Sequence, residues 1–233
     1  MTLYRDYGTG EGRGVIYFNN KFYVAVGNTV YEDAVSPVTK ITLTASTGPL
    51  GMIICNSASL GDYLFVCDGT SGWVINSAGV VTQILDTSIH SVQLVSSGSR
   101  YTDGTYALSF TGTGTGAAGT YTVVGNKVTS ITLTTIGSGY TGTVTVGFPS
   151  GGGTGATAIA SINAFPTPHI PSPTFIDGYI ILAKGSDVYN CDLDVPTSWT
   201  ASNFLSAEMF PDSVMALARQ NNQVVVMGGN SIE

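Results

Sequence analysis

Charge is scarce in this chain. Asp, Glu, Lys and Arg together make up 10% of its 233 residues, well under the usual quarter. Only eight are basic, and they are scattered, so no cationic stripe is present to neutralise phosphates. The net charge of −7 repels nucleic acid rather than gripping it. An acidic wall past which DNA slides is nevertheless a physical device in its own right.

Histidine is limited to His90 and His169, in a loop and a Pro-rich linker. A nucleophile–base–acid set is therefore not expected, and the nearest Gly-x-Ser-x-Gly look-alike, around Gly137-Ser138-Gly139, sits in a turn. The three cysteines, Cys55, Cys67 and Cys191, form no CxxC pair and no ligand spacing with the histidines. They read as buried free thiols, not as a metal site or a disulfide framework. No apolar run approaches the ~20 residues of a membrane helix. Met1–Asp6 lacks a basic stretch leading into an apolar one, so no secretory signal is expected. The Gly-Thr runs lack the Lys and the helix that a phosphate loop needs. Carboxylates that could serve a glycosidase pair (Asp62, Asp68, Asp177, Asp187, Asp192, Asp194, Glu208, Asp212) stand mostly in turns such as Asp68-Gly69 and Asp177-Gly178, where Asp-Gly is a hairpin signal. The expectation is a protein with no cofactor, no metal, no membrane binding of its own and no enzyme activity.

What is present is turn chemistry and β-formers. Thirty glycines and 43% hydrophobic residues predict short strands joined by tight turns, with enough apolar surface to fill a core. Val15–Phe18 and Phe22–Val26 flank Asn19-Asn20, and Thr29–Tyr31 follows Gly27-Asn28, giving a three-stranded meander. A second round runs Gly51–Cys55, Tyr63–Cys67, Trp73–Ile75 and Val80–Leu85. A third runs Thr174–Ile176, Tyr179–Ala183 and Asp187–Cys191, and a fourth starts with Val214–Arg219 and Gln223–Met227. Strands of this length and spacing predict β-propeller blades. A β-sandwich gives similar periodicity and is the structural alternative.

Between the second and third rounds, Ser91–Ile162 is duplicated. Ser91–Leu94 matches Ser130–Leu133, Gly98–Thr102 matches Gly137–Thr141, and Thr115-Gly116-Ala117 matches Thr154-Gly155-Ala156, all at one offset of 39 residues. Alternation such as Ile131-Thr132-Leu133-Thr134 suits strands with one dry and one wet face. The runs Thr111–Gly119 and Ser150–Gly155 are expected to be surface turns. Phe165–Pro173 holds four prolines in nine residues and is expected to be a stiff connector. The chain thus reads as all-β: propeller-like blades over 1–88, a duplicated β insert over 89–164, and a connector with further blades over 165–233. Four rounds are expected not to close on themselves.

Taken in order, Phe175-Ile176-Asp177-Gly178-Tyr179, Pro196-Thr197-Ser198-Trp199, Phe204 through Glu208, Pro211-Asp212 and Met215–Arg219 resemble the tail nozzle proteins of short-tailed bacteriophages, also called packaged-DNA stabilisation or tail accessory proteins. Arg13–Val24, Thr47–Met52 and Val66–Gly72 are similar to the same family's first blades. The resemblance covers about 1–86 and 173–233; the duplicated insert departs from it. It implies a virion tail component assembled in the host cytoplasm. It further implies a homo-oligomer, a hexameric ring, below a head–tail adaptor, bearing fibre, spike or needle proteins and touching viral DNA transiently. Within the motif block, Trp199 and Phe204 are expected to anchor blades or subunits, and Glu208 and Asp212 to make turn or interface hydrogen bonds. A competing expectation is an adhesin that grips glycan through exposed loops at Arg100, Tyr101 and Tyr140. A glycan-cleaving propeller is the third.

Overall fold

The computed structural model describes residues 6–58, 61–84, 87–206 and 212–232. Its regular elements are all β-strands among these residues. The chain forms two compact units, Met1–Ile84 with Pro166–Glu233, and Leu85–Phe165.

Unit 1 begins with β1 (Gly12–Phe18), β2 (Lys21–Val26), β3 (Thr29–Glu32) and β4 (Val38–Thr42), an antiparallel sheet in chain order. Asn19 and Asn20 take φ of 47° and 61°, the left-handed pair that a two-residue hairpin needs to match strand twist. The fourth strand, Val38–Thr42, is one that the apolar pattern missed: an edge strand with one buried residue, Ile41, carries no alternation signal. The next sheet is β5 (Gly51–Ser57), β6 (Gly61–Cys67), β7 (Gly72–Asn76) and β8 (Val81–Ile84), again in chain order. Tyr63 to Cys67 of β6 are all buried, because this strand is covered on both faces. Leu64 and Val66 join Phe18, Tyr23, Val30, Ile41, Trp73 and Ile75 in one core, while Tyr63 meets Phe175 edge-on at 6.5 Å. That double cover is why the sequence runs unbroken apolar there.

Unit 2 contains β9 (Ile89–Ser99), β10 (Gly104–Ala107), β11 (Ser109–Thr111), β12 (Thr115–Val124), β13 (Lys127–Ser138), β14 (Thr145–Gly147) and β15 (Thr154–Ile162). Its sheets run β10-β12-β13 and β11-β14-β15-β9. Of the run Thr111–Gly119 expected as a turn, Thr115 to Gly119 lie in strand β12 instead. They are paired there with Leu133–Ser138, and that pairing overrides the weak β-propensity of the glycines.

The chain then re-enters unit 1 with β16 (Ile170–Ile176), β17 (Tyr179–Lys184), β18 (Asp187–Asn190) and β19 (Phe204–Ser206), a third sheet in chain order, and the hairpin β20 (Val214–Gln220) and β21 (Gln223–Gly228). Four of the nine residues of the Pro-rich connector, Ile170–Pro173, are thus strand. Pro171 and Pro173 are tolerated because β16 is an edge strand, with a register shift between Ile170 and Thr174. β1 lies beside β5, β5 beside β16, and β16 beside β20. The first strand of every meander is therefore its neighbours' closest contact, the arrangement of inner propeller strands around an axis. This serial stacking replaces the sandwich alternative. A further core, Ala183, Val214 and Leu217 with Ile181, Val188, Val224 and Val226, joins the third sheet to the last hairpin. The sheets do not close into a ring among the described residues.

Candidate functional site

The first part of the motif block, Pro196–Asn203, is built around one carboxylate. Asp192 accepts hydrogen bonds from Ser198 Oγ at 2.6 Å, Asn203 Nδ2 at 2.8 Å and Thr200 Oγ1 at 3.2 Å. The Pro196-Thr197-Ser198-Trp199 turn folds over it. The Trp199 indole N–H donates to the Pro196 carbonyl at 3.0 Å, and its ring is 1% exposed. Trp199 is thus a packed hub of the third sheet. Within the motif block Phe204–Ser206 is regular structure, the fourth strand of that sheet, pairing with Asp187–Tyr189. Phe204 is 44% exposed and stacks on Tyr189 at 5.5 Å, within its own sheet. Glu208 lies outside the described residues. Asp212 accepts from the Asn230 N–H at 2.6 Å and Ser231 Oγ at 2.9 Å, which hold its carboxyl below the ordinary carboxylate range. It ties the entry of β20 to the exit of β21.

The proposed recognition loops do not present their aromatic rings. Tyr101 is 3% and Tyr140 2% exposed, which contradicts their expected role as exposed contacts; Arg100 alone is exposed there. Each ring lies flat on a glycine of the other repeat, Tyr101 over Gly153 and Tyr140 over Gly114. The Gly-Tyr pairs that looked like loop decoration are core packing.

Three hubs escaped the sequence reading. Arg13 donates to the carbonyls of Ala45, Gly48 and Gly27 at 2.6, 2.9 and 3.1 Å, fastening β1 to the link before β5. Glu32, 8% exposed, is paired with Lys21 at 2.5 Å and Lys40 at 2.9 Å. Burial alone would raise its pKa, but the two lysines outweigh it and the carboxyl stays below its usual range. Asp68 accepts from the amides of Thr44, Ser71 and Thr70 at 2.7, 2.9 and 3.1 Å and from Thr70 Oγ1 at 3.0 Å. Its burial is likewise overcome, and its pKa is lowered. Asp68-Gly69 was legible as a turn; that its carboxylate also reaches Thr44 depends on the packing of two sheets.

Among the described residues the titratable and nucleophilic groups are dispersed. Burial pushes the Cys55 and Cys191 thiols up to about 12 and Cys67 higher still, so none is poised as a thiolate. His169 is buried, its Nδ1 2.8 Å from the Pro166 carbonyl oxygen, and burial lowers its pKa. Among the described residues no group of three or more His, Cys, Asp or Glu could hold a metal, and no helix is long and apolar enough to cross a membrane. A cleft of about 500 Å³ in unit 2, between Thr143–Val146 and Ala156–Ala160, is lined by Thr, Val, Ala and Ile without a titratable group. The polar hubs at Arg13, Asp68, Asp192 and Asp212 bond mostly to turn and link backbone and hydroxyl groups.

Residues 154–233 match the family model described as bacteriophage P22 Gp10, beta-propeller. The resemblance to phage tail-stabilisation proteins is shown over these residues. The match takes in β15, the third sheet and the last hairpin, including Trp199, Phe204 and Asp212. The described residues are thus all-β and propeller-like with an inserted β unit, and over 154–233 the chain is similar to a structural protein of a phage tail. No curated protein matches it. Solved structures that match include BBS1N in complex with ARL6DN, soaked with lead, at 12% identity over 95% of this chain and 76% of that one, TM-score 0.25. The same complex soaked with mercury matches at 14% identity over 95% and 75%, TM-score 0.26. Likeness at that score carries no argument.

Proposed function

We propose that this chain is a structural subunit of a short-tailed phage nozzle. In this reading it forms a ring, hexameric as in the proteins it resembles, below the head–tail adaptor. It retains packaged DNA, conducts it at ejection, and mounts distal fibre, spike or needle proteins. The observation that carries this reading is the family match over 154–233, falling on the sheet whose motif block folds into a rigid hub around Asp192 and Trp199.

Physical features support the same role. The net charge is −7, and an acidic, charge-poor wall lets DNA pass without sticking. The polar hubs hold turns, as a scaffold requires, so we propose no enzymatic activity. The adhesin reading loses its main support with the burial of Tyr101 and Tyr140.

The test is genetic and structural. Particles assembled without this protein are expected to package DNA and then lose it, and a map of the particle should place the chain on the portal axis below the adaptor. Particles that stay filled without it would overturn the reading. Replacing Ser91–Ile162 with a short linker should leave the ring assembled. If that replacement abolishes adsorption to the host while virions stay filled, the adhesin reading returns.

A further inference from the structure

The two repeats of unit 2 do not fold separately. β9 of the first pairs with β15 of the second, and β12 of the first with β13 of the second. These two ladders are copies of each other. Thr154 faces Ser99, as Thr115 faces Ser138. Ala156 faces Ser97, as Ala117 faces Ile136. Ile159 faces Gln93, as Thr120 faces Thr132. The irregularities repeat as well: register shifts fall between Thr157 and Ala158 and between Ser161 and Ile162 in one ladder, and between Ala118 and Gly119 and between Thr122 and Val123 in the other. All obey the sequence offset of 39 residues.

The packing is exchanged in the same sense. Tyr101 of the first repeat lies over Gly153 of the second, and Tyr140 of the second over Gly114 of the first. At the crossing of each ladder stands a left-handed glycine, Gly98 at φ 59° and Gly137 at φ 62°. A Cβ on Gly98 would come 2.5 Å from the backbone of Thr154 and Ala156, and one on Gly137 2.6 Å from that of Thr115 and Ala117. A surface repeated so faithfully across a pseudo-two-fold is isologous, the kind by which two identical chains meet.

We infer that each repeat is a self-pairing unit whose proper partner is another copy of the same repeat. Here the partner is supplied in cis through the tight Gly125-Asn126 turn. Where one repeat is left without its mate, it pairs with the repeat of a second chain.

The test uses the whole chain with one repeat removed. Residues 127–164 are replaced by a Gly/Ser linker of equal length, so that the first repeat keeps its place but loses its partner. Its β9 should then pair with β12 of a second molecule, bringing Gln93 opposite Thr120. With Q93C and T120C added, oxidation should yield a covalent dimer of doubled mass on a non-reducing gel. The same cysteines in the otherwise intact chain should not, because there they face Ile159 and Thr132. Tyr121 stands where the second repeat has Ala160, so the first repeat could be overpacked when doubled. The reciprocal variant, with 88–126 replaced and T132C/I159C added, removes that difficulty. Fluorescence of Trp73 and Trp199, both in unit 1, confirms that the remainder is folded. A covalent dimer from either variant supports the inference. Monomers from both, with unit 1 intact, would overturn it.

Discussion

Unit 1 and unit 2 are both antiparallel β, yet they are held together on opposite plans. In unit 1 every sheet runs in chain order, so strands find their partners across short turns, apart from the longer link between β18 and β19, and long-range contact is left to sheets stacking face to face. In unit 2 the long ladder between β9 and β15 joins the two ends of the unit, and its chemistry is Thr, Ser, Ala and Gly under four tyrosines. Unit 1 is stabilised by aromatic and aliphatic burial plus polar hubs at Asp68, Asp192 and Glu32. Unit 2 depends on close backbone approach, with rings laid on glycine. The difference teaches where each unit is vulnerable: the first to lost volume, the second to added volume.

Removing volume from unit 1 should have the largest effect. Trp199→Ala deletes a fully buried ring and leaves the Pro196 carbonyl without its donor; a cost of about 3–5 kcal/mol is expected. In denaturant titrations followed by hydrogen exchange, unit 1 should lose protection while the β9–β15 ladder keeps its own. Equal losses in both units would show that the two plans are not separable.

Adding volume to unit 2 comes next. Gly153→Ala and Gly114→Ala each push a methyl into a tyrosine ring, at about 1–3 kcal/mol. Because the sites are equivalent, the two shifts in midpoint should agree. A large effect at one and none at the other would break the pseudo-symmetry, and the tryptophan signal of unit 1 should move in neither.

Acid separates the units in a third way. Asp68 and Glu32 of unit 1 have lowered pKa values in the folded state. The stability they supply is fully present above the unfolded carboxylate value of about 4 and is lost as pH falls through the lower folded values. Unit 2 has a single carboxylate among its described residues, the exposed Asp103. Melting temperatures read by tryptophan should therefore drop more steeply below about pH 4 than exchange protection in unit 2. Asp68→Asn should flatten that slope and cost about 1–3 kcal/mol at neutral pH, since its amide donors lose an acceptor. The smallest effect is expected at Phe204. Phe204→Ala removes a half-exposed stacking partner of Tyr189 at under about 1 kcal/mol. A much larger loss, or failed assembly with normal monomer stability, would mark that edge strand as a subunit contact.

Much of the fold was legible because turn chemistry is local. Asn19-Asn20 and Asp177-Gly178 announce hairpins through backbone conformations that few residues adopt, and the apolar runs between such turns mark the central strands. β4 and β19 were missed because edge strands with little burial need no apolar alternation; Phe204-Leu205-Ser206 is exposed throughout. Trp199, which the family resemblance implies is an anchor of blades or subunits, is buried with its indole N–H on the Pro196 carbonyl. Tyr101 and Tyr140 were misread because Gly-Tyr-Thr in a loop looks the same whether the ring faces solvent or a glycine 52 positions away on the neighbouring repeat, as Tyr101 faces Gly153.

Composition, turn spacing and the repeat offset were enough to specify an all-β chain, three rounds of meander with a fourth beginning at Val214, and a duplicated insert, since these rest on neighbours in sequence. Which repeat pairs with which was left to tertiary structure. β9 and β13 carry the same pattern, as do β12 and β15, so pairing within a repeat and pairing between repeats satisfy the sequence equally. In the folded chain the exchanged pairing is the one formed: Gly98 closes on Thr154 and Ala156, Gly137 on Thr115 and Ala117, and the rings of Tyr101 and Tyr140 cover Gly153 and Gly114.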